Sequence, residues 1–114
     1  VGYWLWDGAL GHVMRGFVIP RGSVILAGGV AAPDATSFTL RAAADSYEYG
    51  ICSNPYLYSN ARCIAYDLNL SVDGDVLTYD ETTTLQMKEF EEPYVHTDAN
   101  TLRRTLSYDL PPAG

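Results

Sequence analysis

From Cys63 to Met87 the chain alternates its side chains two by two, broken once by Asp73-Gly74-Asp75. Ile64, Tyr66, Leu68, Leu70 and Val72 interleave with Cys63, Ala65, Asp67, Asn69 and Ser71. Leu77, Tyr79, Glu81, Thr83, Leu85 and Met87 then alternate with more polar partners. A period of two sends successive side chains to opposite faces of an extended backbone, and no helix presents one apolar face on that repeat. Two such runs joined at Asp-Gly predict a β-hairpin.

The same pattern covers the rest of the chain. Tyr3-Trp4-Leu5-Trp6 reads as a strand, Asp7-Gly8-Ala9-Leu10-Gly11 as its turn, with His12 in the turn, and residues 13–19 as the returning strand. Pro20-Arg21-Gly22 turns the chain into Val24-Ile25-Leu26-Ala27, and Gly28-Gly29 ends or kinks that run. Phe38, Leu40 and Ala42 form another alternating face, and Tyr47, Tyr49 and Ile51 one more. Ser53-Asn54-Pro55 interrupts, so the stretch to Asn60 is either one helical turn or an irregular loop. Leu102, Arg104, Leu106 and Tyr108 mark a last strand, and Pro111-Pro112 a tail. Nine tyrosines, two tryptophans and three phenylalanines suit strands, and no window of helical length carries a 3.6-residue repeat.

About eight short strands at hairpin spacing predict an all-β fold, an antiparallel up-and-down β-barrel of the lipocalin or fatty-acid-binding-protein type. Closure into a barrel removes exposed edges, and short successive turns suit a meander better than a Greek key. Residues 1–110 are expected to form this single domain, with residues 111–114 as tail.

Seven Lys and Arg against fourteen Asp and Glu give a net charge of −7. That balance repels phosphate backbones and anionic lipid surfaces and argues against nucleic acid and membranes as partners. No apolar run approaches the roughly 18 residues of a membrane helix. Two cysteines, Cys52 and Cys63, are too few for a disulfide scaffold; reduced thiols in a cytoplasmic protein are the simpler expectation.

The sequence contains little catalytic equipment. His12 in a hairpin turn reads as solvated. His96, placed just before the last strand, either packs locally or points into the barrel mouth, where a neutral imidazole can ligate iron or zinc. A zinc site needs three or four nitrogen or sulfur ligands in register, and His12, His96, Cys52 and Cys63 show no such spacing. Ser23 follows Gly22 without a G-x-S-x-G elbow, and Asp98 near His96 reads as a turn or cap residue. Ala27-Gly28-Gly29-Val30 lacks the dinucleotide-binding glycine pattern. Glu89, Glu91 and Glu92 read as a solvated loop. The residues alone therefore predict a small acidic barrel that binds something apolar inside.

Four blocks carry a resemblance: Val1-Gly2-Tyr3-Trp4-Leu5-Trp6-Asp7, Ile19-Pro20-Arg21-Gly22, Gly50-Ile51-Cys52-Ser53-Asn54-Pro55-Tyr56-Leu57, and Glu92-Pro93-Tyr94-Val95-His96-Thr97-Asp98-Ala99-Asn100-Thr101-Leu102. In this order they resemble the nitrobindin-like haem-binding β-barrels, which are fatty-acid-binding-protein-like. The resemblance implies a ten-stranded barrel around one b-type haem, with ferric iron bound by a single proximal histidine, here His96. It further implies nitric oxide binding and isomerisation of peroxynitrite to nitrate. The family's opening G-x-W-x-G-x-G strand and roughly two further strands have no counterpart, which predicts an N-terminally truncated barrel, completed by a second copy if it cannot close on itself. Where relatives carry paired histidines, this chain has Val95-His96. The alternative expectation is a metal-free carrier of a lipophilic small molecule such as a fatty acid.

Overall fold

The computed structural model describes residues 2–105. They form one antiparallel sheet with a single short helix. In chain order the elements are β1 (Gly2–Asp7), β2 (His12–Ile19), β3 (Ser23–Val30), β4 (Ser37–Ala43), β5 (Ile51–Ser53), α1 (Pro55–Asn60), β6 (Ala61–Asp73), β7 (Val76–Met87) and β8 (Tyr94–Arg103). The sheet order is β1-β2-β3-β4-β6-β7-β8. The ends of β3 part company: Gly28 pairs with Arg41 of β4, and residues 23–25 pair with the short β5. The expected antiparallel meander is therefore present except at β5, which leaves the strand order and pairs with β3. Leu106, Tyr108 and the tail lie outside the described residues.

Local chemistry accounts for the turns. Asp73 pairs with Val76 across a two-residue loop in which Gly74 adopts a φ of 58°, a left-handed conformation that glycine reaches without steric cost. Pro20 and Arg21 link β2 to β3, and the Gly22 N–H donates to the Ile19 carbonyl at 3.2 Å. The stretch left open between loop and helical turn is α1. Asn54 caps it by accepting from the Leu57 N–H at 2.9 Å, and Pro55 occupies the first helical position, where its missing N–H is not needed.

The core lies on one face of the sheet. Ile25, Ala27, Leu40, Ala42, Cys63, Tyr66 and Leu68 are buried together, with Val13, Phe17, Phe38 and Leu85 packed against them. A bulge between Cys63 and Ala65 shifts the register of β6 against β7. One extra residue reverses the alternation on its far side. Cys63 therefore points into the core with Tyr66, and Ile64 is displaced from the face that simple alternation assigns it.

The sheet is strongly rolled. Arg15 of β2 and Glu81 of β7 are separated by four inter-strand steps of about 4.8 Å, roughly 19 Å on a flat sheet. Their side chains nevertheless meet at 3.4 Å. Phe17 of β2 packs edge-on against Tyr66 of β6, ring centroids 5.1 Å apart, and Trp4 of β1 against Phe38 of β4 at 6.3 Å. Rolling stops short of closure: among the described residues β1 and β8 are the two edges and do not pair with each other. The radius of gyration, 16.5 Å, exceeds the roughly 13 Å of a compact domain of this length. The expected closed barrel is thus an open, rolled antiparallel sheet over these residues. Among them no helix is long and apolar enough to cross a membrane.

A second expectation is corrected between β4 and β5. Tyr47 and Tyr49 do not extend a strand into Ile51; they belong to a loop in which Asp45 and Tyr49 take φ values of 67° and 51°. The Tyr49 ring occupies the space over Gly28, where an added Cβ would lie 2.2 Å from its carbons. The Tyr49 carbonyl accepts from the Ala43 N–H at 3.1 Å, and the Gly50 carbonyl from the Leu26 N–H at 3.0 Å. These tertiary bonds replace the ladder that alternation alone predicts.

Candidate functional site

Residues directly opposite in an antiparallel ladder share a face, so the register maps the inner surface. Ala42, Tyr66, Thr83 and His96 stand in one row across β4, β6, β7 and β8. Leu40, Leu68, Glu81 and Asp98 form the next row, and Phe38, Leu70, Tyr79 and Asn100 the one after. This face is apolar along its β4–β6 side and becomes polar toward the β8 edge.

Part of this face lines a cavity of about 520 Å³, within the range of small-molecule sites. Trp4, Phe38, Leu70, Leu77, Tyr79 and Leu102 supply walls from five strands, and among the described residues Arg15 is the one charged side chain in the lining. Trp4 and Leu102 are about half exposed, at 51% and 53%, which places apolar surface at the open lip between the two edges.

Arg15 is held by a polar network set among aromatic rings. Its Nη1 donates to the Tyr66 hydroxyl at 2.9 Å and to Glu81 Oε2 at 3.4 Å. The Tyr66 hydroxyl in turn donates to the same carboxylate oxygen at 2.6 Å. The guanidinium lies 4.6 Å from the centre of the Phe17 ring and 5.6 Å from that of Trp4, a favourable setting for a planar cation. Burial first, and then the hydrogen bond to Glu81, push the Tyr66 phenol well above its ordinary value of 10, against the opposing pull of Arg15. The phenol is therefore a neutral donor at physiological pH.

His96 is not in a loop leading to the last strand. It lies inside β8, opposite Thr83, because β8 begins at Tyr94. Its side chain is on the inner face, exposed at the sheet edge, and makes no hydrogen bond among the described residues. Asp98, expected at a turn or cap, sits two residues on in the same strand, opposite Glu81. His12 is likewise no solvated turn residue: it opens β2, and its Nδ1 is 2.5 Å from the Tyr49 hydroxyl. Cys52 is exposed and Cys63 buried, both free; the Cys63 thiol is pushed up by burial, partly offset by its bond to the Ala65 carbonyl. Glu89, Glu91 and Glu92 are exposed, as expected. No cluster of three or more potential metal-ligating side chains exists among the described residues.

The residues that sequence reasoning passed over are Arg15 and Glu81. Each is a charge standing at an inward parity position: Arg15 between Val13 and Phe17, Glu81 between Tyr79 and Thr83. Opposite charges set into two apolar alternations were the available signal.

No family model, no curated protein and no solved structure matches the chain.

Proposed function

We propose that this protein binds a lipophilic small molecule against the inner face of its rolled sheet, without a metal. The observation that carries this reading is the cavity of about 520 Å³, walled by aromatic and branched aliphatic side chains and opening between two sheet edges. Burial of apolar ligand surface there is favourable by roughly 25 cal/mol per Å², and a single polar group fixes orientation. Trp4 in the wall provides a reporter. Titration with an uncharged apolar fluorophore should show saturable binding with altered tryptophan emission. Leu77→Arg, which places a charge in the wall, should weaken it about tenfold or more; absence of saturable binding by the parent chain overturns the reading.

A second reading, haem b with His96 as proximal ligand, is favoured by the position of that imidazole on the same inner face without a hydrogen-bond partner. The fit is limited to the histidine. Six residues of extended β8, about 20 Å of backbone, separate His96 from Leu102 at the cavity, and the inward positions between them are Asp98 and Asn100. The cavity and the histidine therefore do not form one apolar site around a porphyrin. Ferric iron held by one imidazole would supply the nitric oxide binding and peroxynitrite isomerisation that the family resemblance implies. Addition of haemin should produce a Soret band that His96→Ala abolishes or shifts; an identical spectrum in the variant removes His96 from the role.

The two edges, unpaired among the described residues, support a homodimer in which each copy covers the lip of the other, completing a barrel-like enclosure. Sedimentation that stays monomeric with rising concentration refutes it. Two free thiols support a reducing, cytoplasmic location.

A further inference from the structure

The polar end of the cavity is already charge-balanced. Arg15, the only cation in the lining among the described residues, is paired with Glu81 at 3.4 Å, and the Tyr66 phenol bridges the two. The Arg15 and Glu81 side chains are only 27% and 24% exposed, and Tyr66 is 2% exposed. Water therefore screens this charge pair poorly. Asp98 stands opposite Glu81 on β8, adding a second carboxylate on the same face.

The hydrogen bonds to Tyr66 and Glu81 engage Nη1 alone. A guanidinium carries five N–H donors, which leaves Nε and Nη2 for an acceptor on a bound molecule. A carbonyl, ester or hydroxyl oxygen can accept there and bring no charge. A ligand carboxylate must instead share one guanidinium with Glu81, with Asp98 on the same face of the neighbouring strand. Like charges a few ångströms apart in a partly dry site repel strongly.

We infer that this groove selects uncharged lipophilic molecules with a hydrogen-bond acceptor at one end, such as long-chain alcohols or esters, and that Glu81 excludes the corresponding fatty acids. The inference rests on the reading of the cavity as a lipophilic site. It reverses the sign expected of a fatty-acid carrier, in which an unpaired cation meets the carboxylate. Arg15 orients the ligand; Glu81 sets its charge.

The test compares dodecanol with dodecanoate on the full chain at neutral pH, below their aggregation limits, by calorimetry and tryptophan emission. Dodecanol is expected to bind at least about tenfold tighter. Glu81→Gln should raise dodecanoate affinity relative to dodecanol about tenfold, cancelling the preference. Asp98→Asn, on the exposed edge strand, should act in the same direction by a smaller factor and serves if Glu81→Gln loses the folded circular dichroism spectrum. Equal or tighter binding of dodecanoate by the parent chain overturns the selectivity and leaves the lipophilic site standing. Binding of neither molecule overturns both. An unchanged preference in a folded Glu81→Gln variant overturns the role of Glu81.

Discussion

The Tyr66 hydroxyl donates to Glu81 Oε2 at 2.6 Å while accepting from Arg15, so a single phenol ties β6 to both β7 and β2. Fifteen residues separate Tyr66 from Glu81 and fifty-one separate it from Arg15. This phenol therefore links three strands across the inner face of the rolled sheet. Tyr66→Phe keeps the ring packed on Phe17 and removes only the bridge. The guanidinium and carboxylate lose a shared partner, and the expected cost is about 1–3 kcal/mol. Urea denaturation measures it; a difference below about 0.5 kcal/mol means that the network does not hold the roll.

Alkaline pH should destabilise the fold through two groups. Cys63 is raised above its ordinary value of 9 by burial, and Tyr66 above its ordinary value of 10 by burial and then by Glu81. A raised folded pKa means that the folded state keeps a proton which the unfolded state releases. The associated stability is present in full below the unfolded pKa and is lost as pH rises. Urea midpoints should therefore hold up to about pH 9 and fall above it, with Tyr66 contributing above about pH 10. Tyr66→Phe should flatten the upper part of that fall. A Tyr66→Phe profile parallel to the parent's would sink the assignment.

Gly28 and Tyr49 should be energetically coupled. A methyl at Gly28 occupies the space of the Tyr49 ring, 2.2 Å from its atoms, and displacing that ring also breaks its bond to His12. Gly28→Ala should cost about 1–3 kcal/mol. Tyr49→Ala made first should abolish most of this penalty, because the space is then empty. A double-mutant cycle that shows additivity would contradict the contact.

Asn54 joins two turns. Its side chain caps α1 through the Leu57 N–H and also donates to the Arg21 carbonyl, while its own N–H donates to the Gly22 carbonyl at 2.8 Å. Asn54→Ala should lose about 1–2 kcal/mol. Asn54→Ser, which retains a capping oxygen but lacks the amide donor, should fall between parent and alanine. Thermal melts of the three proteins give the order, and an alanine variant as stable as the parent would exclude the dual role.

Fold class and most of the strand order, though not the place of β5, were legible because both depend on local information. The alternation on either side of Asp73-Gly74-Asp75 requires an extended chain whatever it packs against, and the turn composition sets β6 beside β7. The helix-capping chemistry of Asn54-Pro55 is equally local. The inward face of β6 was only half legible, since the bulge after Cys63 reverses parity at a position where no glycine or proline marks it. Tyr49 escaped for a different reason: its left-handed backbone is held by its own bond to β4 and by the bond of the adjacent Gly50 to β3, and tertiary contacts override strand propensity. His96 was recognisable as a candidate by residue type, but its place within β8 depends on pairing with Thr83 of β7. What the amino-acid order by itself determined is an antiparallel meander of about eight strands with one apolar face. Only the tertiary structure decided that the sheet rolls without β1 meeting β8, and that Arg15 and Glu81, sixty-six residues apart, close on each other beside the cavity. Periodicity reports which face a residue takes; how far a sheet curls, and which charges then meet, follows from packing summed over every strand.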